Sequence, residues 1–244
     1  MKRISYKNPP IREALVEFQF AANEDWNITI PGRFHEQIKD NYPLVEQQKI
    51  REVQVDDEGL KYSEGLGKTQ FLTEDRTRII GIGKDVLSVH MLRPYQPVGS
   101  EFSGWQDFEG RIKTSLDKCE NIIPSKGVTR IGLRYINEIF GAPNTKATLY
   151  LKDAPTPNES LPEMASFMSR TEHHYDDSTK LFVIQVSKGE STEKPVFFLD
   201  IELTWEGEIL EKDAALAKTE ELRAKKNEVF EALITDEARE LFNA

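Results

Sequence analysis

Residues 127–140 read Gly127-Val128-Thr129-Arg130-Ile131-Gly132-Leu133-Arg134-Tyr135-Ile136-Asn137-Glu138-Ile139-Phe140. An extended chain sends successive side chains to opposite faces. Ile131, Leu133 and Tyr135 therefore share one side, and Arg130, Gly132 and Arg134 share the other. One side packs, and the other binds or forms ion pairs. The stretch predicts a half-buried strand in the middle of the chain.

Towards the N-terminus, Ala14 to Phe20 alternates in the same way, with Val16, Phe18 and Phe20 on one face and Glu17 and Gln19 on the other. That pattern predicts a first strand. Pro31 suits a first helical position, and Phe34, Ile38 and Pro43 then bound a short helix over 32–42. Residues 50–56 and 69–73 read as strands. Residues 78–82 and 85–91 flank Gly83-Lys84 and predict a hairpin. Trp105, Phe108, Ile112, Leu116 and Cys119 recur every three or four positions, which predicts a helix over 104–123 lying on a sheet.

Towards the C-terminus, a proline-rich stretch (Pro143, Pro155, Pro157, Pro162) precedes strands at 181–188 and 196–205, joined by the polar segment 189–194. In the second of these strands Asp200, Glu202 and Thr204 alternate with Leu199, Ile201, Leu203 and Trp205. A charged helix is expected over 213–233, with Leu222, Val229, Phe230, Leu233 and Ile234 as an apolar stripe interrupted by Lys226. Thr235 should cap a short terminal helix, with Asp236 and Glu237 near its positive end. The expected class is α+β: a mostly antiparallel sheet with helices packed on one face. Each half, 1–124 and 125–244, opens with a strand, continues through hairpins and ends in a helix. Two structurally repeated halves packed as one unit, or two unrelated arrangements of common elements, both fit.

Composition narrows the function classes. The 244 residues are 38% hydrophobic, and no apolar run approaches the roughly 20 residues of a membrane-spanning helix. Met1-Lys2-Arg3 is followed by polar residues and prolines rather than an apolar leader core, so a cytoplasmic location is expected. The balance of 42 acidic against 32 basic residues, formally −10, argues against nonspecific grip on nucleic acid. The single cysteine, Cys119, rules out an internal disulfide framework and has no histidine near it in sequence.

The chemistry-bearing residues converge on one idea. Three strands carry a strongly polar face: Glu17 on the first, Arg130 and Arg134 on the central one, Asp200 and Glu202 on the last. If those faces meet in a cleft, the arginines can clamp an anion while the carboxylates orient them or hold a divalent cation. If they face water, they form cross-strand ion pairs worth a few tenths to about 1 kcal/mol each. Elsewhere the signals are weaker. His173-His174 with Asp176-Asp177 resembles a metal cluster, yet adjacent histidines on an extended chain point apart, so a polar turn is expected there. Gly65-Leu66-Gly67-Lys68-Thr69 imitates the end of a phosphate-binding loop but has Tyr62 where the first glycine belongs, and a plain loop is expected. Gly81-Ile82-Gly83 lacks the third glycine of a dinucleotide fingerprint. His90 shares a strand face with Val86 and Ser88. No nucleophile elbow is present.

Three segments carry a family resemblance: residues 8–18 (NPPIREALVEF), 130–137 (RIGLRYIN) and 230–239 (FEALITDEAR). In this order, near the start, middle and end of the chain, they resemble a sporadically distributed bacterial and archaeal family of unassigned function. Asn227 departs from the pattern, since many relatives carry a histidine in that helix, and a mechanism relying on that histidine has no carrier here. A patchy distribution implies genes that travel with mobile elements and fits phage defence, toxin neutralisation or stress regulation.

The leading expectation is therefore a non-enzymatic cytoplasmic protein-interaction or regulatory module with no cofactor, binding another protein, one encoded nearby being a candidate, with two-fold self-association left open. The alternative is a nucleotide- or polyphosphate-binding sensor, or a metal-dependent phosphohydrolase, in which Arg130 and Arg134 clamp phosphates and Glu17, Asp200 and Glu202 hold a divalent ion.

Overall fold

In the computed structural model the chain is described at residues 6–56, 59–95, 104–156, 158, 160–162, 164–189 and 192–244, with the backbone alone at 50–56 and 59–66. The basic start Met1-Lys2-Arg3, Pro157 and the centre of the 189–194 connection lie outside the described residues. The elements in chain order are β1 (Ile11–Phe20), α1 (Ile30–Glu36), β2 (Leu44–Asp56), β3 (Gly59–Leu72), β4 (Arg78–Gly83), β5 (Val86–Leu92), α2 (Gly104–Glu120) and β6 (Val128–Phe140). They continue with β7 (Ser166–His174), β8 (Thr179–Lys188), β9 (Val196–Leu210), α3 (Lys212–Leu233) and α4 (Asp236–Asn243).

The strands form one antiparallel sheet in the order β2-β3-β4-β5-β1-β6-β9-β8-β7. The two strands recognised first in the sequence, β1 and β6, lie side by side at its centre, Val16 opposite Leu133 and Phe18 opposite Ile131. The other strands of residues 1–124 extend to one side and those of 125–244 to the other. The alternation in β6 holds: Ile131, Leu133 and Tyr135 are buried to 1% exposure or less. They share one continuous core with Val16 and Phe18 of β1, Leu87 and Val89 of β5, and Ile201 and Leu203 of β9.

The helices contribute to that same core. α2 presents Trp105, Phe108, Ile112, Leu116 and Cys119, and α3 presents Ala215, Leu222, Arg223 and Lys226. The two cations on the inner side of α3 sit over aromatic rings. Arg223 lies 4.2 Å from the centroid of Trp105 and Lys226 lies 3.8 Å from that of Tyr135, positions in which the ring quadrupole attracts a cation. Thr235 caps α4 as expected, its Oγ1 accepting from the N–H of Ala238 at 3.2 Å.

Four expectations are corrected. The first helix ends at Glu36 rather than Tyr42; beyond it the chain turns repeatedly, which still buries Ile38 and Tyr42. The β4–β5 turn is Lys84-Asp85, because Gly83 pairs with Val86, and Asp85 takes up the left-handed conformation at φ 57°. The Gly65–Thr69 stretch is not a loop: it lies within β3, Gly65 opposite Ile50 and Leu66 opposite Lys49. Glycines weaken a strand signal, but the Gln47 side chain, donating to the carbonyls of Gly67 and Lys68, holds the segment across the local register shift. Last, His173-His174 is not a turn but the end of β7, and the chain turns at Asp176-Asp177-Ser178, with Ser178 left-handed at φ 61°.

Candidate functional site

The helices cover one face of the sheet, and the opposite face carries the charged alternate positions. Register alone assembles it. Along one row across the sheet stand His90, Leu15, Arg134, Glu202 and Phe182; along the next, Ser88, Glu17, Gly132, Thr204 and Lys180; along a third, Val86, Gln19, Arg130 and Glu206. All five residues picked out by alternation, Glu17, Arg130, Arg134, Asp200 and Glu202, share this open face, where they divide into two groups.

Arg134 and Asp200 form a fork-to-fork pair. Nε donates to Oδ1 at 2.9 Å and Nη2 to Oδ2 at 2.6 Å. The Asp200 carboxylate beside it holds the Arg134 pKa above its ordinary value, against the opposing effect of burial. Both partners are thereby committed, since a bidentate guanidinium–carboxylate pair fixes geometry as well as charge.

The second group is looser. Arg130 lies 3.5 Å from Glu17 and 3.9 Å from Glu202, beyond hydrogen-bonding distance for both. Its guanidinium reaches back over Gly132, where a Cβ would stand 3.6 Å from Nη1. Glu17 in turn accepts from Lys68 Nζ at 2.7 Å. Lys68 comes from β3 and crosses β4 and β5 to make that bond. Gly81 leaves the path open, for a Cβ there would lie 2.6 Å from Ser88 Oγ and 3.4 Å from Lys68 Cδ.

A third contact closes the row. His90 Nδ1 lies 3.0 Å from Glu13 Oε1, and its Nε2 lies 3.1 Å from Ser88 Oγ. The hydrogen bond from His90, with Arg134 and Arg12 adding their fields, holds Glu13 below the usual carboxylate range.

Beside Arg130 the face sinks into a depression of about 340 Å³ lined by Arg130, Arg170, Lys180, Phe182, Ile184, Thr204, Glu202 and Glu206. Three cations and two carboxylates ring it in a chain whose formal charge is −10. Arg170 stacks over Phe182 with Cζ 4.9 Å from the ring centroid.

Among the described residues no group of three or more histidine, cysteine, aspartate or glutamate side chains is placed to hold a metal ion. The carboxylates of the alternative reading each face a cation instead. His173 and His174 diverge as alternation requires, towards Thr171 and Glu172 respectively. Cys119 is buried in the core, and burial, helped by Glu120, pushes its thiol up to about 11. Sequence reasoning missed Glu13 and Lys68 on the open face, and Arg170 and Lys180 around the depression. Lys68 was hidden by the loop reading of its segment, and Arg170 by the unrecognised strand β7. Glu13 and Lys180 flank strands that were recognised, so continuing the alternation outward would have found them.

Among the described residues no helix is long and apolar enough to cross a membrane. No family model, curated protein or solved structure matches the chain.

Proposed function

We propose that this chain is a non-enzymatic, cytoplasmic protein-binding module, a regulatory or immunity-type component, whose recognition surface is the open face of the sheet. The observation that carries the reading is Arg130: a guanidinium at the rim of a depression, its ion pairs among the described residues being the long contacts to Glu17 and Glu202. An incoming carboxylate can take that guanidinium at hydrogen-bonding distance while displacing little. Charge-assisted bonds of this kind are about twice as strong as neutral ones. Phe182 and Ile184, both half-buried, add the apolar contact from which binding surfaces draw much of their affinity. The Arg134–Asp200 pair is the fixed neighbour that keeps the surface in one arrangement.

Kinship with the sporadically distributed family, and with it a defence-associated role on mobile elements, belongs to the same proposal and is supported by the three ordered segments. The central pairing of β1 with β6, each followed by a meander and a helix, supports descent of the two halves from one ancestral unit. Purification of the tagged chain under native conditions, with Arg130→Glu in parallel, tests the binding reading. A partner recovered by the parent chain and lost with the variant supports it. Equal recovery by both, or no partner at all, counts against it.

The cations Arg130, Arg170 and Lys180 around one depression favour a second reading, a nucleotide- or polyphosphate-binding sensor. Thermal unfolding with tripolyphosphate or ATP, with and without magnesium, separates the two. A ligand at a hundred times its dissociation constant adds about 2.7 kcal/mol, and no shift at millimolar concentrations removes this reading.

A further inference from the structure

We infer that β7 is the contact edge of a two-fold dimer, in which a second copy of this chain adds its own β7 and joins two nine-stranded sheets into one. β7 is an outermost strand of the sheet, and seven of its nine residues are exposed. Such an edge presents a row of unpaired N–H and C=O groups to any strand of matching pattern.

The register within the protein fixes which groups those are. Tyr175 donates its N–H to the carbonyl of Thr179 at 2.8 Å, directly opposite in the β7–β8 register. Hydrogen-bonded and non-bonded pairs alternate along an antiparallel ladder. His173, Thr171, Ser169 and Phe167 therefore spend their backbone groups on β8, and those of Met168, Arg170, Glu172 and His174 point outward.

A two-fold axis perpendicular to the sheet must place one residue of β7 opposite itself. With Thr171 on the axis, Arg170 of each copy stands opposite Glu172 of the other, in a backbone-bonded pair built from the outward groups. The side chains of both pairs lie on the open face, where Arg170 and Glu172 are already 3.6 Å apart within one chain. Thr171 meets Thr171 in a close non-bonded pair, a favourable cross-strand combination, and Met168, 75% exposed, is covered by His174. Axes on the neighbouring positions lose this match, since Arg170 or Glu172 would then face itself, and like charges directly opposite destabilise a sheet. Of these three neighbouring registers only the one centred on Thr171 matches opposite charges, which an edge merely protected by charge need not offer. The dimer would also continue the open face across the axis, bringing the two copies' depressions onto one surface.

The test is light scattering coupled to size exclusion on the full chain, from about 1 to about 200 µM, with charge variants. The parent chain is expected to dimerise within this range. Arg170→Glu and Glu172→Arg should each be monomeric, because the contacts become carboxylate on carboxylate or guanidinium on guanidinium. Mixing the two variants should restore a dimer, since each copy then offers the complement of the other. Thr171→Cys should give a disulfide-linked dimer under mild oxidation, and Ser169→Cys should not; Cys119 is buried and does not interfere. A parent chain monomeric at about 200 µM, single variants that dimerise like the parent, or a mixture that stays monomeric would each overturn the inference. Circular dichroism of the variants checks that these exposed substitutions leave the fold intact.

Discussion

Lys226 offers the sharpest energetic test of the packing. It projects from α3 into the core with 8% exposure, its Nζ lying 3.8 Å from the centre of the Tyr135 ring. Burial first, and the neighbouring charge of Arg223 second, bring its pKa down from 10.5 to about 7, with Glu231 opposing. At about 1.4 kcal/mol per tenfold change, that fall corresponds to a cost of about 5 kcal/mol for keeping the ammonium charged in the core. Lys226→Met, which keeps the length and loses the charge, should therefore raise stability at pH 6.5 by an amount on the order of that cost, up to about 5 kcal/mol.

The pH dependence has a definite sign. Below pH 7 the lysine is protonated in folded and unfolded chains alike, and the cost is fully present. Between about 7 and 10.5 the folded chain sheds a proton that the unfolded chain keeps, so this residue makes stability rise with pH. Confining the comparison to pH 6–9 avoids Cys119, whose raised pKa makes stability fall above its ordinary 9.0. Urea denaturation of both chains across that range is the assay. A methionine variant less stable than the parent at pH 6.5, or identical pH slopes for the two chains, would refute the reasoning.

Other parts of the structure yield their own expectations. Thr235→Ala removes the bond from Ala238 N–H and the one Thr235 donates to the Leu149 carbonyl, and should cost about 1 kcal/mol in the same denaturation experiment. Gly81→Val should cost about 1–3 kcal/mol and separate Lys68 from Glu17, seen as a changed Lys68 side-chain resonance in NMR; an unshifted resonance contradicts the crossing path. Cys119, buried and with its thiol pushed up to about 11, should react with a thiol reagent at pH 8 only as fast as the chain unfolds, and at once in denaturant.

The centre of the sheet was legible because β1 and β6 alternate strictly, with β-branched and aromatic residues on the buried face. Alternation placed all five candidate side chains on one face; it could not say which of them pair. Asp200 meets Arg134 diagonally, while Glu202 stands directly opposite Arg134 yet lies nearer to Arg130, a distinction set by register and side-chain reach. β3 was read short because its glycines break the apolar pattern, and β7 was missed because Ser166-Phe167-Met168-Ser169-Arg170 has no apolar face to reveal it. An edge strand can fold without one, since its ladder to β8 and the neighbouring core supply the restraint. Lys226 marks the opposite case, a charge on an otherwise apolar helical stripe whose aromatic partner comes from another strand.

The most direct measurement for the open face as recognition surface is hydroxyl-radical footprinting of the natively recovered complex against the free chain. The account predicts protection at Leu15, Phe182 and Ile184, with Leu241, 38% exposed on the far side of α4, unchanged. Protection confined to the helices, with Phe182 and Ile184 as reactive in the complex as in the free chain, would contradict it.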